Sequence, residues 1–439
     1  MGTTNATRRM RRLFAALLTA GLIGAACSSS PTDSDSAAVT TSTLPGDAVG
    51  TSSMVDAEDE VETAPVPAAN PSRWDLDATL AADPDCTSPI SGDPLRIGYA
   101  ADLSEFGGPA DRPSSQAAIH LAKLINCSGG FEGRPVEVVV ADVSGTAVET
   151  REAVLGLLAQ DVHVLLGPPF PDMGFRVLQV TDGQIPVLFT GSTEPALGDA
   201  TALSYLVAFN DTQGATVAAQ FALSRGWRRA VTFSSPGPYF GYNSLVFADR
   251  FESNGGDVLG DYDFIPFETD DFSAAALQIA LDPPDVIYSP MFTFQMAILR
   301  RQLEDLGVEV AYLQSDVFEA TGGYTLTGVE GFFHVTHAFP ADGSRINALN
   351  DSLTVASGVP SEAPSFAALT GDAFAVIAEA YFASGSELDP VAIGQAIADV
   401  ENVGGVTGTI SYNGSGLPSK TIYVHEVVNG QPTLASTIG

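Results

Sequence analysis

An alternation of short apolar runs with helically spaced apolar residues is the feature that most limits how this chain can fold. Residues 95–100 have the composition of a buried strand, and residues 114–126 carry apolar side chains at helical spacing. The alternation continues to an apolar run at 186–190, restarts after residue 210 and runs to residue 313. Strands that alternate with helices in this way form parallel βαβ units covered on both faces. The sequence therefore predicts an α/β fold with two Rossmann-like lobes.

Residues 1–27 indicate export from the cytoplasm. Four arginines between residues 8 and 12 precede an apolar run at 13–26, a secretory-signal pattern too short for a permanent transmembrane helix. Small residues before Cys27 resemble a bacterial lipoprotein signal, in which the cysteine is acylated and anchors the mature protein to the membrane. The alternative is an ordinary cleaved signal with an incidental cysteine. The export route, general secretory or twin-arginine, is left open by Arg11-Arg12.

Residues 28–93 have the composition of an extended spacer. They contain thirteen acidic residues and one basic residue, Arg73, with few large apolar side chains. A segment of this kind buries too little apolar surface to offset its chain entropy. We expect an acidic, disordered tether between the anchor and the folded part.

The folded part is itself strongly acidic. Of the formal charge of −34, residues 94–439 account for most, with 40 acidic and 14 basic side chains. Such a surface repels the phosphates of nucleic acids and anionic headgroups. Nucleic acid is therefore not an expected partner.

Two cysteines besides Cys27 occur, Cys86 and Cys127. In an oxidising compartment an even pair indicates a disulfide, here from the segment before the first strand to the end of the first helix. Two free thiols are the alternative.

Short fragments, in order and spacing over residues 95–340, carry a resemblance to a known family. The fragments are 95–104 (LRIGYAADLS), 126–136 (NCSGGFEGRPV), 165–168, 185–188, 213–214, 239–241, 271–273 and 284–288. They resemble the extracytoplasmic solute-binding proteins of branched-chain amino-acid (Leu/Ile/Val-binding) ABC transporters, which have the type I periplasmic-binding fold. The resemblance implies two lobes that are joined by three hinge crossovers and close on a ligand. Lobe 1 would comprise residues 94–210 and 338–408, and lobe 2 residues 211–337 and 409–439.

The resemblance also implies a carboxylate-binding site on two loops of lobe 1. One loop matches, because Ser192 and Thr193 follow a strand and offer hydroxyls and main-chain donors. A plain Ser/Thr helix cap is the alternative. The other loop, which includes Phe170 and Asp172, departs from the family because it contains three prolines, which have no N–H to donate.

The remaining candidate ligand-binding residues would contact an amine or an apolar group. The family's amine-binding aspartate falls on Asn210, with Asp211 adjacent, so either residue is a candidate. The others are expected across the cleft or after the first strand: Asp316, Phe240, Phe292 and Glu105. Each acid taken singly could be a solvated surface group.

Nothing in the sequence matches a catalytic motif, so we expect a binding protein and not an enzyme. His334 and His337 lie on one predicted strand, where a separation of three directs them to opposite faces, and no metal or cofactor is expected. The expected function is capture of an amino acid or amide-like solute and its delivery to a membrane permease. The alternative is a ligand-sensing protein of the same fold that is not coupled to transport.

Overall fold

A computed structural model describes residues 73–105 and 107–438. The predicted signal, the lipidation of Cys27 and residues 28–72 of the predicted tether lie outside these residues. Residues 73–93 are not disordered as predicted, because Trp74, Leu76 and Leu80 are buried in an apolar core. Within the described residues one helix, Pro364–Ala383, is long and apolar enough to span a membrane, but 89% of its apolar window is buried inside the protein. It is therefore a helix of the core.

The first sheet has five strands, all parallel, in the order β2-β1-β3-β4-β5. The strands are β1 (Leu95–Ala101), β2 (Val136–Asp142), β3 (Val164–Gly167), β4 (Val187–Phe189) and β5 (Ser204–Leu206). Parallel pairing requires a crossover between consecutive strands. Helices occupy those crossovers, as the alternation in the sequence predicts.

The second sheet has seven strands in the order β15-β14-β10-β9-β8-β6-β7. The strands are β6 (Arg229–Ser234), β7 (Asp257–Asp263), β8 (Val286–Ser289), β9 (Ala311–Gln314), β10 (Phe333–Thr336), β14 (Ile422–Val428) and β15 (Gln431–Ile438). Strands β6 to β10 are parallel, whereas β14 is antiparallel to both of its neighbours, β10 and β15. A third, three-stranded antiparallel sheet comprises β11 (Val403–Gly404), β12 (Thr409–Ser411) and β13 (Ser419–Lys420).

Helices cover the sheets. In chain order they are α1 (Leu76–Leu80), α2 (Gly108–Cys127), α3 (Ala147–Leu158), α4 (Pro171–Thr181), α5 (Pro195–Gly198), α6 (Asp211–Ser224), α7 (Pro238–Ser253), α8 (Ser273–Leu281), α9 (Thr293–Asp305), α10 (Val317–Ala320), α11 (Arg345–Ser357), α12 (Pro364–Ala383) and α13 (Pro390–Ala398). The α/β fold with parallel sheets is thereby confirmed.

Among the described residues, three chain segments pass between the apolar core around β1 and α12 and the apolar core around β8 and β10. Ala208 packs in the core around β1 and α12, whereas Phe209 packs in the core around β8 and β10. A second passage falls between Val335 and Ala338, and a third between Tyr412 and Ile422. The lobe limits that the resemblance implies stay a prediction.

The structure places a disulfide between Cys86 and Cys127, whose Cα atoms are 5.7 Å apart. It joins the segment that precedes β1 to the end of α2. Closing a loop of this length restricts the unfolded chain and stabilises the fold, by about 3–4 kcal/mol on the chain-entropy model.

A buried ion pair lies close to two of the three passages. The side chains of Asp372, in α12, and Lys420, in β13, are 0% and 1% exposed, and Lys420 Nζ lies 2.9 Å from Asp372 Oδ2. Lys420 Nζ also donates to the Val207 carbonyl at 3.3 Å. Asp372 Oδ1 accepts from the amides of Val406 and Thr407 at 2.6 and 2.9 Å. The pair therefore fastens α12 and the chain after β5 to the segment 406–420.

Candidate functional site

Ser192 and Thr193 lie just beyond the carboxyl end of β4, where parallel sheets place their ligands. Thr193 Oγ1 donates to Asp211 Oδ1 at 2.6 Å, and the Asp211 amide donates to the Thr193 carbonyl at 2.8 Å. Ser192 is 1% exposed, and its hydroxyl has no hydrogen-bond partner among the described residues. A buried polar group without a partner costs free energy. The Ser192 hydroxyl is therefore a group that a ligand could satisfy.

Asp211 reaches this loop, whereas Asn210 acts as a helix cap. Asn210 precedes α6, and its Oδ1 accepts from the Gln213 amide at 3.0 Å, while Gln213 Oε1 accepts from the Asn210 amide at 2.9 Å. This reciprocal pair is a capping box, which satisfies two amides at the helix start. Of the two candidates for the amine, Asp211 is therefore the one that faces Thr193.

The carboxyl of Asp211 is held in an apolar setting. It is 2% exposed, and burial raises its pKa to about 8. The hydrogen bond from the Thr193 hydroxyl lowers this pKa, whereas the charge of Asp316 raises it further. Its second oxygen, Oδ2, is buried without a hydrogen-bond partner among the described residues. A cation placed against Oδ2 would favour ionisation and would gain a charge-assisted hydrogen bond.

Asp316 follows β9 and lies in predicted lobe 2. Asp316 is 6% exposed, and its Oδ1 accepts from the Tyr239 hydroxyl at 2.7 Å. Its Oδ2 lies 3.2 Å from Nε2 of His337, on the segment that passes between the cores. Burial lowers the pKa of His337, so the ring is neutral at pH 7 and donates from Nε2. The charge of Asp316 raises the pKa of Asp211, which indicates that the two carboxyl groups are close enough to interact electrostatically.

Phe240 and Phe292 form one aromatic wall. Their ring centroids are 5.6 Å apart, and Phe267 lies 4.1 Å from Phe292. Phe240 is in the first turn of α7 directly after Tyr239, so the apolar wall and the hydroxyl bound to Asp316 come from one helix start. Rings that meet edge to face in this way form a rigid apolar surface.

The remaining predicted site residues are not brought into contact with the two acids. Glu105 and Asp172 are exposed, and Phe170 packs against the apolar core beneath β3 and β4. Pro171 starts α4, a position at which a helix amide has no intrahelical partner, so this proline removes no bond that the helix requires. The participation of Glu105, Phe170 and Asp172 in ligand binding stays a prediction.

Two residues of the candidate site, Tyr239 and His337, were not predicted from the sequence. Tyr239 lies in a fragment, 239–241, that carries the family resemblance, but only its neighbour Phe240 was assigned. His337 is not among the predicted ligand-binding residues, yet it contacts Asp316 and stacks on Phe209 with ring centroids 4.1 Å apart. The signal for Tyr239 was its position next to Phe240, and that for His337 was its position at the predicted lobe limit between residues 337 and 338.

Comparisons with known proteins identify relatives that are described as binding proteins. Residues 94–432 match the model of a family described as periplasmic binding protein. A curated relative, the Leu/Ile/Val-binding protein BraC3 of Rhizobium johnstonii, is 25% identical over 350 residues, which cover 78% of this chain and 93% of that protein.

Two solved structures show the same fold. The leucine-binding protein LivK of Thermotoga maritima superposes with a TM-score of 0.66 at 23% identity, covering 78% of this chain and 98% of that one. An ABC-transporter solute-binding protein of R. palustris in complex with benzoate superposes with a TM-score of 0.65 at 18% identity, covering 79% and 96%.

Proposed function

The chain belongs to the periplasmic binding protein family, and on that premise we propose that it captures a small solute between two lobes and delivers it to the permease of an ABC transporter. The observation that carries the proposal is the pair of buried acids, Asp211 and Asp316, of which the second affects the pKa of the first. The Tyr239 hydroxyl that binds Asp316 is followed in the chain by Phe240, whose ring packs against Phe292. Transport is favoured over sensing by the ABC-transporter proteins among its structural relatives. The mechanism is binding without chemical change.

Lobe closure is the proposed motion. Residues 94–210 and 338–408 would turn against residues 211–337 and 409–439. The first two passages of the chain between cores support these limits, whereas the third lies a few residues later than residue 408, between Tyr412 and Ile422. The solute would dock on Ser192 and Thr193, and closure would bring the aromatic wall and Asp316 onto it. A ligand shifts such an equilibrium only by its difference in affinity for the two states.

The charges of the site define the solute class. The charge of Asp316 raises the pKa of Asp211, and a cation bound between the two carboxyl groups would oppose this effect. An ammonium or amide N–H can satisfy Asp211 Oδ2, and the Ser192 hydroxyl can pair with a second polar group. The wall of phenylalanines suits an apolar portion. We therefore propose an amino acid or amide-like solute.

A screen of the purified protein tests the proposal. Amino acids, amides, polyamines and small carboxylates are compared by thermal shift, and each hit is confirmed by calorimetry. The expected hits carry an amine or amide and an apolar portion. Hits confined to dicarboxylates contradict the proposed site, because they would add charge of the same sign as Asp211 and Asp316.

Thr193→Ala is expected to weaken binding of such a hit by about 1–3 kcal/mol, roughly 5- to 150-fold. The substitution removes the hydrogen bond that orients the Asp211 carboxyl. Calorimetry measures the affinity. Thr181→Ala is the matched control, since Thr181 is a buried threonine that bonds within its own helix α4. Equal affinities for both variants would remove Thr193 from the site.

Family membership implies an extracytoplasmic location, and we propose that lipid on Cys27 holds the protein at the membrane. Cys27→Ser is expected to leave the folded domain intact and to release the protein into the soluble extracytoplasmic fraction. Fractionation with an immunoblot measures this, and mass spectrometry of the wild-type N-terminus looks for the acylated cysteine. A wild-type protein that is already soluble, with an unmodified Cys27, would instead indicate an ordinary cleaved signal.

A further inference from the structure

Two histidines on neighbouring strands form a buried cluster outside the proposed solute site. His334 on β10 is directly opposite His425 on antiparallel β14, and both are 0% exposed. The Tyr324 hydroxyl lies 2.7 Å from His334 Nε2 and 2.9 Å from His425 Nδ1. Strand pairing holds both imidazoles, so their separation is set by the sheet and not by flexible loops.

A carboxylate completes the cluster. Glu319 in α10 is 4% exposed, and its Oε1 lies 4.0 Å from His425 Nδ1. One potential ligand atom from each of Glu319, His334 and His425 lies within 4.8 Å of the others. The Thr336 hydroxyl donates to Glu319 Oε1 at 3.0 Å, which orients the carboxylate. Three metal-binding side chains therefore converge from a helix and two strands.

We propose that Glu319, His334 and His425 bind a divalent transition-metal ion, with the Tyr324 hydroxyl as a fourth ligand. Two imidazoles and a carboxylate form a donor set that zinc accepts at about 2.0–2.2 Å, usually with four ligands. Imidazole donors favour zinc, copper, iron or nickel over magnesium and calcium, which take oxygen ligands.

The cluster also has a hydrogen bond of the kind that orients metal-bound histidines. His334 Nδ1 lies 3.3 Å from the Val335 carbonyl, so a proton on Nδ1 leaves Nε2 free as a ligand. Metal-bound histidines commonly donate their second ring N–H to a carbonyl in this way. The three ligand atoms are up to 4.8 Å apart, whereas tetrahedral zinc ligands are about 3.3 Å apart. Binding therefore requires these atoms to approach one another by up to about 1.5 Å and the tyrosine hydroxyl to move to make room.

Metal titration tests the site. The protein is prepared without a polyhistidine tag, treated with chelator and titrated with zinc by calorimetry and with cobalt(II) by visible absorption. The expected result is one equivalent of tightly bound metal, a cobalt spectrum typical of nitrogen and oxygen ligands, and a melting temperature raised by several degrees. Binding weaker than millimolar, or several weak equivalents on the acidic surface, would overturn the proposal.

Variants locate the metal. His425→Gln and Glu319→Gln are expected to reduce zinc affinity at least 100-fold, while His120→Gln, a buried histidine bonded to Ser352, keeps it unchanged. X-ray absorption of the zinc-loaded wild type provides a second readout if a variant does not fold, with two imidazoles expected in the first shell. A zinc coordination shell without imidazole, or a zinc affinity of His425→Gln equal to that of the wild type, would place the metal elsewhere and overturn the proposal.

Discussion

Lys420→Met is expected to lower the free energy of unfolding by about 3–5 kcal/mol, because it leaves the Asp372 carboxylate buried without its cation. The hydrogen bonds from Val406 and Thr407 remain, but they do not neutralise the charge. Chemical denaturation followed by circular dichroism measures the change.

The chain provides a control for Lys420. The only other lysine in the sequence, Lys123, is exposed on α2, and Lys123→Met should change the unfolding free energy by less than about 0.5 kcal/mol. The double variant Lys420→Met with Asp372→Asn should recover part of the loss, because no unpaired charge is then buried. Equal small effects of the two lysine variants would show that the pair is not a major stabilising contact.

Asp211→Asn is expected to have opposite effects on stability and on binding. The folded-state pKa of Asp211, about 8, lies above its ordinary value of 3.8. Between these values the unfolded chain releases a proton that the folded protein retains, so the stability of the free protein falls as pH rises. Asparagine does not titrate, so the variant should match the wild type near pH 4 and exceed it increasingly up to pH 8, by an amount on the order of a few kcal/mol.

Binding of an ammonium by the same variant should fall. Loss of a charge-assisted hydrogen bond costs about 1.5–3 kcal/mol, or roughly 10- to 150-fold in affinity. Melting curves across pH 4–8 and calorimetry at pH 8 measure the two effects, with Asp351→Asn, an exposed acid on α11, as the control. A stability gain that is the same at all pH values, or unchanged affinity for the amine, would contradict the role of Asp211.

The fold was predictable because each of its layers leaves a local pattern. A strand buried on both faces, such as Val164–Gly167, is a short apolar run, and a helix such as Ala147–Leu158 has helically spaced apolar residues with a Thr146 cap. Pro171 shows the limit of this reasoning. It was interpreted as part of a loop, whereas proline at the first helical position begins α4.

The sequence limits the candidate for the amine contact to two adjacent residues, Asn210 and Asp211, and cannot choose between them for a physical reason. A helix cap turns its side chain back to the helix amides, whereas the next residue can project away, so Asn210 and Asp211 differ in role although they are adjacent. The sequence shows that a helix starts near residue 210 but not which residue is the cap.

The histidine cluster was missed because its members are close only through strand register. The spacing of His334 and His337 within one strand argued against a shared metal, and that argument still applies to those two. His425 follows 91 residues after His334, and its pairing opposite His334 depends on the return of the C-terminal hairpin to β10. Register of this kind has no signal in a single sequence.

The repeated passage of the chain between cores has a consequence for biosynthesis. The first sheet is complete by residue 206, but its core also contains Phe374 and Ile377 of α12, and Ile410 and Tyr412 near the end of the chain. A ribosome-bound or partly translocated chain that has emerged only to residue 206 therefore lacks side chains that shield β1 from water. This lobe can reach its final packing only after residue 412 has emerged, which favours passage of the export channel before folding.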